Sequence, residues 1–123
     1  MERIFFVLGS FSGALGVVLG AFGAHALRAR LSTDLLNTFE TGVRYQMYHA
    51  FALLAVAFAI SRYGPSSLLS AAGLLFILGT LIFSGSLFLL AVTRLKWLGA
   101  ITPLGGIAFI AGWLCLAFGM WPG

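Results

Sequence analysis

Four stretches of this chain contain no Asp, Glu, Lys or Arg: Ile4 to Leu27, Tyr45 to Ser61, Leu68 to Val92 and Leu98 to Trp121. A helix needs about 20 residues to cross a hydrocarbon core roughly 30 Å thick, and each stretch is near that length. Peptide groups left bare in hydrocarbon are costly, so each segment has to bond its own backbone. Barrel strands of about 10 residues are too short to account for these runs. The expected fold is therefore an all-α membrane protein, one transmembrane domain over residues 1–123, with spans at about 4–27, 43–61, 68–92 and 98–121. Charged residues make up 8% of the chain, against roughly 25% in soluble domains. Too few charges exist to cover a water-facing exterior.

Three links join the spans: a long polar one from Arg28 to Arg44 and short ones around Arg62 to Ser67 and Thr93 to Trp97. Short links make consecutive helices antiparallel neighbours, which gives a four-helix bundle running up-down-up-down. The first run imitates a secretory signal, ending in Ala24-His25-Ala26, but it exceeds the roughly 7 to 15 residues of a signal core and is read as a retained span. Arg28, Arg30, Arg44, Arg94 and Lys96 lie in the first and third links, against Arg3 and Arg62 on the other side. That bias sets those two links in the cytoplasm and both termini outside. The net charge of +4 comes without a basic run, so nucleic acid is not an expected partner. The single cysteine, Cys115, allows no intrachain disulfide.

Within the first span Gly9, Gly13, Gly16, Gly20 and Gly23 recur at spacings of four, three, four and three. At about 100° per residue they share roughly 80° of arc, a groove along one side of the helix. Such grooves let another helix approach closely in lipid. Gly85, with Gly79, Thr80, Ser84 and Ser86, marks a second small-residue surface in the third span. In the long link, Leu35, Leu36, Phe39 and Val43 share one helical face and Asp34, Asn37, Thr38 and Thr41 the other. Ser32 is the expected N-cap. The pattern describes a short amphipathic helix over about 33–44, apolar face against the membrane surface. In the fourth span Thr102-Pro103-Leu104-Gly105-Gly106 places proline in a first helical turn with Thr102 as cap. Trp97 to Ile101 then form an irregular lead-in, with a mid-helix kink as the alternative. Trp97 near one end and Trp113 and Trp121 towards the other resemble aromatic belts.

Polar residues concentrate at one membrane face. Glu40 and Arg44 are spaced for a helical ion pair. Tyr45, Tyr48 and His49 follow, and His25 closes the first span at the same level. Anchoring of the loop is the leading reading of this cluster, ahead of a ligand or ion site and of metal or haem ligation by His25 and His49. No catalytic residues emerge: a Ser/His/Asp set, paired carboxylates and a zinc motif are all missing, so the chain leans away from being an enzyme. No metal site or cofactor is specified. The leading expectation is a non-enzymatic bundle that binds a small apolar ligand, or a membrane-protein partner or second copy, through its glycine groove. The rival is a small transporter, proton-relay or redox component, with haem or quinone, built on His25, Glu40, Arg44 and His49.

Several motifs carry a resemblance. They are Gly20-Ala21-Phe22-Gly23-Ala24-His25-Ala26-Leu27, Phe39 to Gly42 with Arg44-Tyr45-Gln46 and His49-Ala50, Phe83-Ser84-Gly85-Ser86-Leu87, and Leu98-Gly99 through Gly106 with Gly112-Trp113. In that order they resemble the family called domain of unknown function 423, whose eukaryotic relatives are termed transmembrane protein 256-like. The resemblance implies a four-helix protein of a bacterial cytoplasmic membrane and carries no activity, substrate or cofactor.

Overall fold

The computed structural model describes residues 1–123, and the chain is helical apart from short turns. Four helices are long and apolar enough to cross a membrane: α1 (Glu2–Leu27), α2 (Thr33–Tyr63), α3 (Ser67–Thr93) and α4 (Lys96–Gly119). Each forms along a long apolar run; the one proline within them, Pro103 of α4, falls in the first turn of that span's α-helical part, and the first three stop at a polar or glycine-containing link. Ser32 caps α2, its Oγ accepting from Leu35 N at 3.2 Å, and Ser66 caps α3 in the same way through Leu69 N. Gly64 ends α2 with φ 93°, a backbone conformation that glycine reaches without strain. Arg94 ends α3 in the left-handed region.

The amphipathic segment 33–44 is not a separate element. It is the first three turns of α2, which runs unbroken from Thr33 to Tyr63. Nor is its apolar face turned towards a membrane surface. Phe39, with Leu36 and Val43 beside it, closes a small core against Ala24 and Leu27 of α1 and Ala91 and Phe88 of α3. Burying those side chains within the protein removes the reason for a separate surface helix.

Helices adjacent in sequence pack against one another: α1 on α2, α2 on α3, α3 on α4. α2 is the most enclosed, with 56% of its most apolar window buried against 17% for α1. The main core joins Leu53, Val56 and Ile60 of α2 to Phe5, Leu69, Phe76 and Phe109. Outside it the surface is apolar, with Phe11, Phe22, Phe58, Leu81 and Trp121 each at least two-thirds exposed. Patches of that kind call for an apolar surrounding.

The glycine groove of α1 is filled by α2 of the same chain. Ala50 and Leu53 lie against Gly9, Ala50 against Gly13, Met47 against Gly16, Val43 against Gly20 and Phe39 against Gly23. A Cβ at Gly9 would stand 2.9 Å from Ala50 O. The groove expected to receive a partner is therefore an internal joint. Gly85 departs from expectation as well, since a Cβ there would meet nothing within 4 Å; it faces open space rather than a helix.

Elsewhere glycines receive phenylalanine rings from neighbouring helices. Phe5 rests on Gly73, Phe109 on Gly79, Phe76 on Gly112 and Phe88 on Gly42, and the backbone of Phe83 crosses Gly105. At the start of α4 a 3₁₀ turn, Lys96–Ala100, leads into the α-helix that begins at Thr102. The irregular lead-in, not a mid-helix kink, is what forms. Thr102 does not cap it; its hydroxyl lies 2.6 Å from Ser86 Oγ and ties α4 to α3.

Candidate functional site

The six polar residues expected to gather do not form one site. Glu40 and His49 are nine residues apart on a single helix, about 13 Å along its axis and on opposite faces. Arg44 donates through Nη2 to Thr41 Oγ1 at 3.0 Å instead of pairing with Glu40. His25 is exposed on the outer side of α1, and Tyr48 is also exposed. Of the residues on α2, Arg44, Tyr45 and Tyr48 are exposed and Glu40 is half-buried, and His49 alone is enclosed.

His49 is buried between α2, α3 and α4. Its ring stacks on Phe109 with centroids 3.5 Å apart and planes at 7°, and Phe76 lies 5.4 Å away. Nδ1 is 2.7 Å from Tyr45 O, one turn back on the same helix. A carbonyl oxygen only accepts, so Nδ1 carries the proton. Trp113 Nε1 donates to Nε2 at 3.0 Å. Both ring nitrogens are engaged, and neither has a lone pair free to bind a metal or haem. No three side chains among His, Cys, Asp and Glu converge to hold an ion. The arrangement does structural work: it fixes α4 to α2 through one hydrogen bond and an aromatic stack. The redox and relay reading loses its central residue.

A different site lies beside it, where Gln46 and Leu53, one turn either side of His49 on α2, face α1 and α3. A cleft of about 400 Å³ lies between α1 and α3 with α2 as its floor. Phe11, Leu15 and Leu19 form one wall, Ile77, Leu81 and Phe88 the other. The volume is within the roughly 300–1,000 Å³ of small-molecule sites. Four polar residues also face it: Ser12, Gln46, Thr80 and Ser84. No charged side chain does. Each wall carries a π-helical turn, Val18–Gly23 in α1 and Thr80–Ser84 in α3, a feature that recurs at functional sites. Gly85, bare of a side chain, widens the α3 wall.

Hydrogen bonds fix the polar floor. Gln46 is buried, and its Nε2 donates to Ser12 O at 2.9 Å, bridging α2 to α1. Ser84 Oγ donates to Gly42 O at 2.7 Å, bridging α3 to α2. Thr80 Oγ1 donates to Phe76 O within its own helix. Sequence reasoning missed Gln46, although the signal was present: it is the sole glutamine, and it stands inside an apolar run. Polar groups at membrane depth are costly enough to need a reason. The cleft itself left no mark in the sequence, because its walls are separated by some sixty residues of chain.

Residues 19–106 match the family described as Protein of unknown function (DUF423). The chain is 45% identical to the UPF0382 membrane protein YwdK of Bacillus subtilis, over 93% of each chain. It is 46% identical to a UPF0382 membrane protein of Staphylococcus haemolyticus, over 93% of this chain and 92% of the relative. Identity to the UPF0382 inner membrane protein YgdD of Escherichia coli is 37%, over 96% of this chain and 89% of that one. No solved structure matches. A likeness that runs nearly end to end, to proteins that bear the name of membrane proteins, agrees with four apolar helices of spanning length: the chain belongs to the DUF423 family of membrane proteins.

Proposed function

We propose that this protein is a non-enzymatic component of a bacterial cytoplasmic membrane that holds a small apolar molecule, taken from the lipid phase, in the cleft between α1 and α3. The observation that carries the reading is the cleft itself, about 400 Å³ and apolar on both walls. A hollow of that size in a membrane-spanning bundle fills with whatever apolar molecule fits it, and the fixed polar floor supplies selection. The residues around it favour binding over chemistry. No acid, base or thiol lines the cleft, and the hydroxyls of Thr80 and Ser84 are tied to backbone carbonyls.

The four helices run up-down-up-down in this reading, with both termini outside. The excess of Arg and Lys in the first and third links supports it, as does the bond from Arg94 Nη2 to Arg30 O at 3.3 Å, which joins those two links.

Native mass spectrometry of the protein released from lipid nanodiscs tests the binding. A bound small mass is expected on the unaltered chain. Gly85→Leu, whose side chain would enter the cleft, should remove it; Gly106→Leu, which also meets open space but lies outside the cleft, should not. Loss in both variants or in neither, or an apo mass throughout, refutes the proposal.

A further inference from the structure

The proposed cleft has a hydrogen-bonding bias that narrows what it takes, and the inference drawn from it rests on that reading. Gln46 is 3% exposed. Ser12 O only accepts, so the amide nitrogen has to face it. Oε1 is left without a partner in the protein, on a residue that lines the cleft, while every fully buried polar atom has one. An amide oxygen held this way in hydrocarbon wants a donor.

The other polar groups define the rest of the ligand. Thr80 and Ser84 have already directed their protons to Phe76 O and Gly42 O, so towards the cleft they offer only lone pairs. Ser12 Oγ makes no bond within the protein and keeps a proton to give. A group that both donates to Gln46 Oε1 and accepts from Ser12 satisfies the site, and a hydroxyl does both. An ether or ketone accepts only and leaves Oε1 bare. A hydrocarbon leaves both atoms bare. A carboxylate or ammonium would stand in an apolar cleft with no counter-charge, which is costlier still.

We infer that the cleft recognises an uncharged hydrocarbon bearing a hydroxyl group, the hydroxyl seated between Gln46 Oε1 and Ser12 Oγ and the chain lying along the apolar walls. The class is that of long-chain alcohols.

The test uses the full chain in lipid nanodiscs and a dodecanol carrying a photoactivatable diazirine along its chain. Labelling is mapped by peptide mass spectrometry and competed with dodecanol, dodecyl methyl ether or dodecane. Label is expected on cleft residues such as Leu81. Dodecanol should compete about tenfold better than the ether, the worth of one hydrogen bond to an otherwise unmet acceptor. The contrast should collapse in Gln46→Leu. It is first read on the unaltered chain, so it does not depend on any variant folding.

Equal competition by alcohol and ether, with labelling still abolished by Gly85→Leu, overturns this inference and leaves the binding proposal standing. A contrast that persists in Gln46→Leu also overturns it, since another group then reads the hydroxyl. Absence of label from the cleft, or label unaffected by Gly85→Leu, removes both.

Discussion

Because a carbonyl oxygen only accepts and an indole N–H only donates, the contacts of His49 with Tyr45 and Trp113 permit one placement of its ring proton. Nitrogen-15 spectra of histidine-labelled protein should therefore show a protonated Nδ1 and an unprotonated, hydrogen-bonded Nε2. The opposite tautomer would mean that the α2–α4 bond is wrongly described. Trp113→Phe keeps an aromatic ring but removes the donor together with part of the indole that packs on Phe76. Stability in mixed micelles should therefore fall by about 1 kcal/mol or more, the lower figure being a typical size for an interhelical bond in a membrane. His49→Ala also loses the stack on Phe109 and should cost more. That ordering is what a structural histidine requires. The sequence set His49 in a polar cluster read first as an anchor and only second as a ligand or relay site, because Arg44, Tyr45 and Tyr48 stand close to it in the chain. Beyond the carbonyl of Tyr45, its partners are Phe109 and Trp113, sixty and sixty-four positions away, and no local spacing announces them.

At the scale of elements, the helices are joined by small surfaces receiving large ones. The rigidity of whatever meets the glycine decides what a substitution there does. At Gly105 a new Cβ would lie 2.5 Å from Phe83 N and 2.8 Å from its Cα. Backbone cannot swing aside, so Gly105→Ala should force α4 away from α3 and cost about 2 kcal/mol, within the range for overpacking. Gly106→Ala meets nothing and should be neutral or stabilising by about 0.5 kcal/mol, as alanine is the better helix former. Titrating both variants with denaturing detergent checks the pair, and equal midpoints would refute the joint. The glycines of α1 were legible because spacings of four and three place them on one face. In α3 the small-residue surface marked Gly79, which does receive Phe109. Gly73 of α3 and Gly105 and Gly112 of α4 were not read as joints, since each forms only half of a joint whose other half is a phenylalanine on another helix. The continuity of α2 was half visible: the amphipathic pattern over 33–44 marked a helix, but only packing against Ala24 and Ala91 shows that it carries on into the span.

For the whole molecule, the four spans were legible because lipid leaves so few options for an uncharged run of twenty residues. The relation of α1 to the rest was not. α1 is the least enclosed helix, seated along α2 by its glycine face, with Phe5 reaching across to Gly73 of α3. It is also one wall of the cleft, so its seat and the cleft stand or fall together. Two glycines separate this from a general loss of stability. At Gly16 the obstructing group is the flexible side chain of Met47, whereas at Gly9 it is the carbonyl of Ala50 and the Cβ of Leu53. Gly16→Ala should be tolerated. Gly9→Leu should lift α1 off α2, with helix content by circular dichroism unchanged because each span bonds its own backbone in lipid. The bound mass expected in native spectra should disappear in Gly9→Leu while α2, α3 and α4 remain packed, with the His49–Trp113 bond intact by its nitrogen-15 signal. If the bound mass survives Gly9→Leu, α1 is not a wall of the binding site, whatever becomes of stability.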